Sequence, residues 1–236
     1  MALIYWRSIM IVYGKQIVFY ILEKHPKIIR QIFLTKELDK KLFNKFMNIG
    51  AKIIRPDEQK AQSLARGGNH QGFLLDIGDF CFEDINQIKK KDFVVILDGL
   101  TDVGNIGAIA RTCYGLGVGG LVICGLKHFD MAPVVRTSSG TALDLPIALI
   151  QNSSDLANEL KQLKFTLVGA DASGYDIKTV EKNKGQKIAL FLGSEGEGLS
   201  GKILKKLDIK LSIKMENNFD SLNVSVAAGI LIHSLT

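Results

Sequence analysis

From residue 93 onward, apolar β-branched runs alternate with segments of helical spacing so regularly that few folds can accommodate the chain. Residues 93–97, 121–124, 145–150, 165–170, 188–193 and 209–213 read as strands, while 106–116, 132–138, 154–163, 201–207 and 222–235 read as helices. Apolar strands separated by helices predict an α/β domain whose mostly parallel sheet is covered on both faces. Open sheets of this kind gather ligands at the loops beyond the carboxyl ends of their strands. In the last helix, Leu222, Val226, Gly229, Ile230 and Leu231 are expected to face inward.

Ahead of this domain lies a smaller pattern. Apolar residues at Ile17, Val18, Ile21 and Leu22 repeat at helical spacing and stop at His25-Pro26, with a strand expected over 28–34. Residues 37–49 place Leu38, Leu42, Phe43, Phe46 and Met47 on one helical face, and strands are expected at 51–54 and 72–77. Residues 84–91, ending in three lysines, read as the connection, which gives domains of 1–91 and 92–236.

Charge separates the two parts. Residues 1–91 hold 16 Lys/Arg against 9 Asp/Glu, a balance of +7, whereas 92–236 hold 14 against 15, a balance of −1. Basic excess confined to the front suits a polyanionic partner there, since phosphate contacts give sequence-independent affinity. The loop Arg66-Gly-Gly-Asn-His-Gln-Gly72 is rich in hydrogen-bonding groups, and His70 is a candidate RNA contact; it has no partners at metal-ligand spacing.

A hydrophobic share of 47% excludes a disordered chain. Cys81, Cys113 and Cys124 have no CxxC spacing and sit within or beside apolar runs, as reduced thiols of a cytoplasmic protein do. The apolar start is interrupted by Arg7, lacks a basic lead and has no small-residue cleavage site, so export is not expected. No membrane partner is expected, because no apolar run reaches bilayer-spanning length.

Three segments are too oddly composed to be plain core: Asp102-Val-Gly-Asn-Ile-Gly-Ala-Ile-Ala-Arg111, Gly193-Ser-Glu-Gly-Glu-Gly-Leu-Ser200 and Ser221-Leu-Asn-Val-Ser-Val-Ala-Ala-Gly229. Asn105 is placed to cap a helix. Arg111 falls among Ala108, Ile109, Ala110, Cys113 and Leu116, where a guanidinium requires a partner; a buried ion pair with Glu195 is the plain alternative to a functional role. Three glycines within 193–198 allow a sharp turn and close approach to a ligand. The two acids among them argue against a phosphate cradle. Capping would explain Ser221, and explains Asn223 less well.

Taken in order and spacing, the three segments resemble the SpoU/TrmH family of ribose 2′-O-methyltransferases, over residues from about 92 to the C-terminus. Tyr13-Gly14-Lys15 and Asn69-His-Gln-Gly72 are similar to that family's small RNA-binding domain, of the type seen in ribosomal protein L30e. The resemblance implies a trefoil-knotted catalytic domain, S-adenosylmethionine as methyl donor without a metal, an RNA partner and a homodimer. It also implies roles for residues. Asn105, Arg111, Glu195, Ser221 and Asn223 would form the catalytic centre, and backbone around Leu192, Gly193, Gly198, Ile213, Met215 and Leu222 would hold the donor.

Arginine does not normally release a proton in proteins, so Arg111 is expected to clamp a phosphate beside the target ribose and favour the developing alkoxide. The most similar subgroup methylates a guanosine in large-subunit (23S) ribosomal RNA; transfer RNA is the second choice. Val103 and Lys214 stand where the family often has proline, which loosens both loops without removing a chemical group. Two other classes are a catalytically silent RNA-binding assembly factor and a nucleotide-dependent oxidoreductase. The second lacks the Gly-rich turn and following acid that such enzymes carry after the first strand.

Overall fold

The computed structural model describes residues 10–179, 185–194, 196–217 and 221–236. Two compact units are present: residues up to Cys81 together with Met131–Gly140, and Phe82–Asp130 together with Thr141–Thr236.

The first unit contains β1 (Met10–Tyr13), α1 (Lys15–Lys24), β2 (Ile29–Leu34), α2 (Lys40–Met47), β3 (Lys52–Ile54), α3 (Glu58–Leu64) and β4 (Phe73–Ile77). Its sheet runs β1-β4-β2-β3, antiparallel except between β2 and β3. Asp39 and Asp57 start α2 and α3 by accepting the N–H of Leu42 and Lys60 at 2.8 and 2.7 Å. Phe19, Phe46 and Phe73 pack with ring centroids 5.6 to 6.1 Å apart, edge-on or stacked. Sequence periodicity passes over β1, of which four residues are described, and α3, whose composition is mostly polar.

The second unit begins with α4 (Ile85–Ile88), β5 (Phe93–Asp98), α5 (Val103–Gly115) and β6 (Gly120–Cys124). The next helix, α6 (Met131–Thr137), lies in the first unit against β1. The second unit resumes with β7 (Ile147–Ile150), α7 (Ser153–Gln162), β8 (Phe165–Asp176), β9 (Lys187–Gly193), α8 (Gly201–Leu204), β10 (Ile209–Ser212) and α9 (Val224–Leu235). The boundary expected near residue 91 falls inside this unit. Ile88 of α4 is buried in its core, and Glu83 donates its N–H to the Ile147 carbonyl at 2.8 Å.

Six parallel strands in the order β10-β8-β9-β5-β6-β7 form the sheet. Its central strands are continuously apolar because helices cover both faces; Val94, Ile96, Phe191, Leu156 and Ile203 share one buried cluster. From β5 the chain builds outward through β6 and β7, then returns to place β8 and β9 on the other side, so the connections reverse direction between β5 and β9. β8 runs on to Asp176, beyond the expected end at residue 170, because its polar second half still pairs with β10 across a register shift at Lys210/Leu211. No helix among the described residues is long and apolar enough to cross a membrane.

Candidate active site

The middle of β8, the carboxyl ends of β9 and β10 and the start of α9 enclose one pocket of about 540 Å³, within the range of small-molecule sites. Leu192, Gly193, Gly198, Ile213, Met215 and Leu222 all line it, as do Ser221 and Asn223. The remaining wall is largely apolar. Asp171 and Glu197 are its charged members, and no cation lines it among the described residues.

The β9 loop owes its shape to close backbone approach. Ser194 and Gly198 exchange N–H···O bonds at 3.1 and 3.0 Å, so the segment folds back on itself. A Cβ on Gly193 would lie 2.0 Å from the carbonyl carbon of Gly198, a separation that no side chain tolerates. Glu195, assigned to the site from sequence, lies outside the described residues. Where this loop ends, the Ser200 N–H donates to the Asp98 carboxylate at 3.2 Å, tying it to the tip of β5.

At the β8/β10 edge, Ser212 donates its hydroxyl to the carbonyls of Gly174 and Tyr175 at 3.0 and 3.3 Å. Asp171 accepts the backbone N–H and the hydroxyl of Ser173. These bonds, opposed by partial burial and aided by nearby Lys210, hold the Asp171 carboxyl below the usual carboxylate range. Sequence inspection misses this residue. A lone Asp after a strand carries no pattern.

Capping differs from the sequence reading at both helix mouths. Asp102, not Asn105, is the N-cap of α5: its Oδ1 accepts the Asn105 N–H at 2.7 Å, which frees the Asn105 side chain from that task. Asn223, not Ser221, is the N-cap of α9, accepting the N–H of Ser225 at 2.9 Å and its hydroxyl at 2.6 Å. With Asn223 Oδ1 committed as an acceptor, its amide orientation is fixed, and Nδ2 donates to Asn105 Oδ1 at 2.9 Å. Residues 118 positions apart are thus joined at the pocket's edge.

Arg111 departs further from expectation. It is exposed on α5, whose buried face is Ile106, Ile109, Ala110 and Cys113, and it is not part of the pocket lining. The buried ion pair that is the plain alternative for Arg111 does not fit this exposure, because its helical position lies away from that face. On α9 the buried residues are Ala228, Leu231 and Ile232, while Val226 and Ile230, expected to face inward, are 52% and 37% exposed.

In the first unit, His70 is only 5% exposed. Its Nδ1 accepts the Gly72 N–H and its Nε2 faces Glu58 Oε1, each at 3.1 Å, so the ring pins the 66–72 loop from inside and is not a surface contact. The cations lie around that loop. Arg136 of α6 stacks 4.9 Å above the ring of Tyr13, whose hydroxyl abuts Gly68. The Lys36 stem covers Gly72, and the Lys15 N–H donates to Gln71 at 2.9 Å. No group of three His, Cys, Asp or Glu among the described residues is arranged to hold a metal ion.

Comparison with known proteins adds an independent line. The profile of the SpoU rRNA Methylase family matches residues 92–233, and that of RNA 2′-O ribose methyltransferase substrate binding matches residues 11–80. A Borreliella burgdorferi protein named an uncharacterized tRNA/rRNA methyltransferase is 34% identical over 216 residues, covering 85% of this chain and 92% of its own. Two crystal structures share the fold. One, titled an RNA 2′-O ribose methyltransferase, gives a TM-score of 0.80 at 21% identity, covering 97% of this chain and 88% of its own. The other, the SpoU methyltransferase AviRb from Streptomyces viridochromogenes in complex with AdoMet, gives 0.77 at 23% identity, covering 96% and 88%. With its profile spanning more than half the sequence, its parallel sheet and its pocket at the strand ends, the chain belongs to the SpoU methylase family of RNA methyltransferases and carries that family's substrate-binding unit at its front.

Proposed function

We propose that the enzyme methylates the ribose 2′-oxygen of a guanosine in 23S ribosomal RNA, using S-adenosylmethionine. The observation that carries this reading is the pocket between the middle of β8 and the ends of β9 and β10, whose apolar walls suit adenine and whose charged members are acids suited to a cationic donor. Leu192, Gly193, Gly198, Ile213, Met215 and Leu222 hold the adenosyl part. Bound there, the donor supplies a methyl group already activated on a sulfonium.

The protein's work is then alignment. The Asn105–Asn223 bridge and Ser221 fix the reacting edge, Glu195 orders the adjoining loop, and Arg111 binds the phosphate beside the target ribose. Arg111 keeps its proton throughout. Lys15, Lys36, Arg66 and Arg136, grouped about the 66–72 loop, supply phosphate contacts to structured RNA. Two copies pair through the apolar strip of α9, where Val226 and Ile230 are exposed one turn apart, joined by exposed Tyr114 of α5. The catalytic unit carries the family's trefoil knot, and the enzyme works in the cytoplasm with RNA.

Mapping 2′-O-methylation across total RNA from cells with and without the gene tests the reading. Loss of one ribosomal guanosine methylation is the expected result. Loss confined to transfer RNA would move the substrate there, and an unchanged map, with no binding of S-adenosylmethionine by the pure protein, would leave a silent RNA-binding factor.

A further inference from the structure

We infer that Asp171, outside the three segments that define the family resemblance, is a donor-binding residue: its carboxylate receives the cationic methionyl end of S-adenosylmethionine. This rests on the donor assignment above. Three observations converge. Asp171 lines the 540 Å³ pocket beside Ala170 and Ala172, together with residues of the β9 loop and α9. It is half-buried and fixed in place, because Ser173 gives it both a backbone N–H and a hydroxyl. Two hydrogen bonds to an ionised acceptor are among the stronger polar contacts, and they stabilise the charged form.

The charge balance of the wall gives that negative charge a purpose. Among the described lining residues Asp171 and Glu197 carry charge, both negative. Glu197 is exposed on the turn, whereas Asp171 is partly buried and held by two hydrogen bonds from Ser173. An oriented carboxylate in a partly desolvated wall favours a cation over a neutral ligand, since charges there interact more strongly than in bulk water. S-adenosylmethionine carries two cations at its methionyl end, the sulfonium and the α-ammonium; S-adenosylhomocysteine keeps only the second.

Calorimetric titration of the full-length protein with both compounds tests the assignment. Wild type and Asp171→Asn are compared, with circular dichroism and thermal unfolding to confirm the fold; asparagine retains an oxygen for the Ser173 N–H. We expect Asp171→Asn to weaken S-adenosylmethionine binding about tenfold or more, the scale of one charge-assisted contact. Loss for S-adenosylmethionine alone places the carboxylate at the sulfonium, and equal loss for both compounds places it at the ammonium. Unchanged affinity for S-adenosylmethionine in a folded variant overturns the inference. Should that variant fail to fold, Asp171→Ser, which removes the charge with a smaller polar side chain, is expected to weaken S-adenosylmethionine binding to the same extent, and unchanged affinity there also overturns it. Wild type that binds neither compound instead sinks the donor assignment itself.

Discussion

Asn223 does two jobs with one amide. Its Oδ1 caps α9 and its Nδ2 reaches Asn105, so substitutions can separate stability from chemistry. Asn223→Ala is expected to cost about 1 kcal/mol of stability through the lost cap and to reduce methyl transfer. Asn223→Ser keeps a capping oxygen but cannot reach Asn105, and should melt near wild type while losing activity; thermal unfolding and a methyl-transfer assay on the same preparations decide this.

Asp76 offers a pH test at the same scale. Burial raises its carboxyl above the usual carboxylate range against the pull of Arg30, with Asp79 reinforcing the rise and the Met10 N–H opposing it. The folded protein therefore binds this proton more tightly than the unfolded chain. Ionisation costs stability at neutral pH, and the cost fades as pH falls through the folded value. Asp76→Asn is expected to raise the melting temperature at pH 7 and to lose that advantage progressively in acid.

The thiols form a third residue-level case. Burial pushes Cys113 far up and, with help from the Asp98 charge, Cys124 up to about 12, whereas Cys81 is exposed. A disulfide-exchange reagent at pH 8 should modify Cys81 alone in the native protein and all three after unfolding, as read by mass spectrometry.

Among the elements, the loop after β9 depends most on a single atom's absence. Gly193→Ala places a methyl group where the Gly198 backbone already sits, so the loop must open and the pocket wall must move. We expect a stability loss of about 1 to 3 kcal/mol together with loss of donor binding, measurable by unfolding and calorimetry. α9 shows why helical periodicity alone misassigns faces. Nearly every residue from Val224 to Leu235 is apolar, so no polar stripe marks the outside, and Val226 and Ile230 cannot be told from Leu231 and Ile232 by composition. α5 fails differently: Arg111 has apolar neighbours in sequence but points to solvent, because neighbours along a helix are not neighbours across it.

At the scale of the whole molecule, the exposed strip on α9 is the natural place to test assembly. Replacing both Val226 and Ile230 by glutamate puts like charges on a face proposed to meet its own copy, and light scattering should report a monomer. Donor binding should fall with it only where the second copy completes the pocket. A variant that remains dimeric would remove α9 from the interface.

The sequence alone determined the α/β class, most strands, and the segments from which the pocket is built, because strand burial on both faces and glycine-rich turns leave local marks. It also carried the family, through three segments in order. Only the tertiary structure decided which side chains meet. Asn105 reaching Asn223, α6 joined to the front unit, and Asp171 set into the pocket wall all depend on residues far apart in the chain. Periodicity reports which face of an element is apolar; it does not report what that face is packed against, and for these residues that partner is what fixes their role.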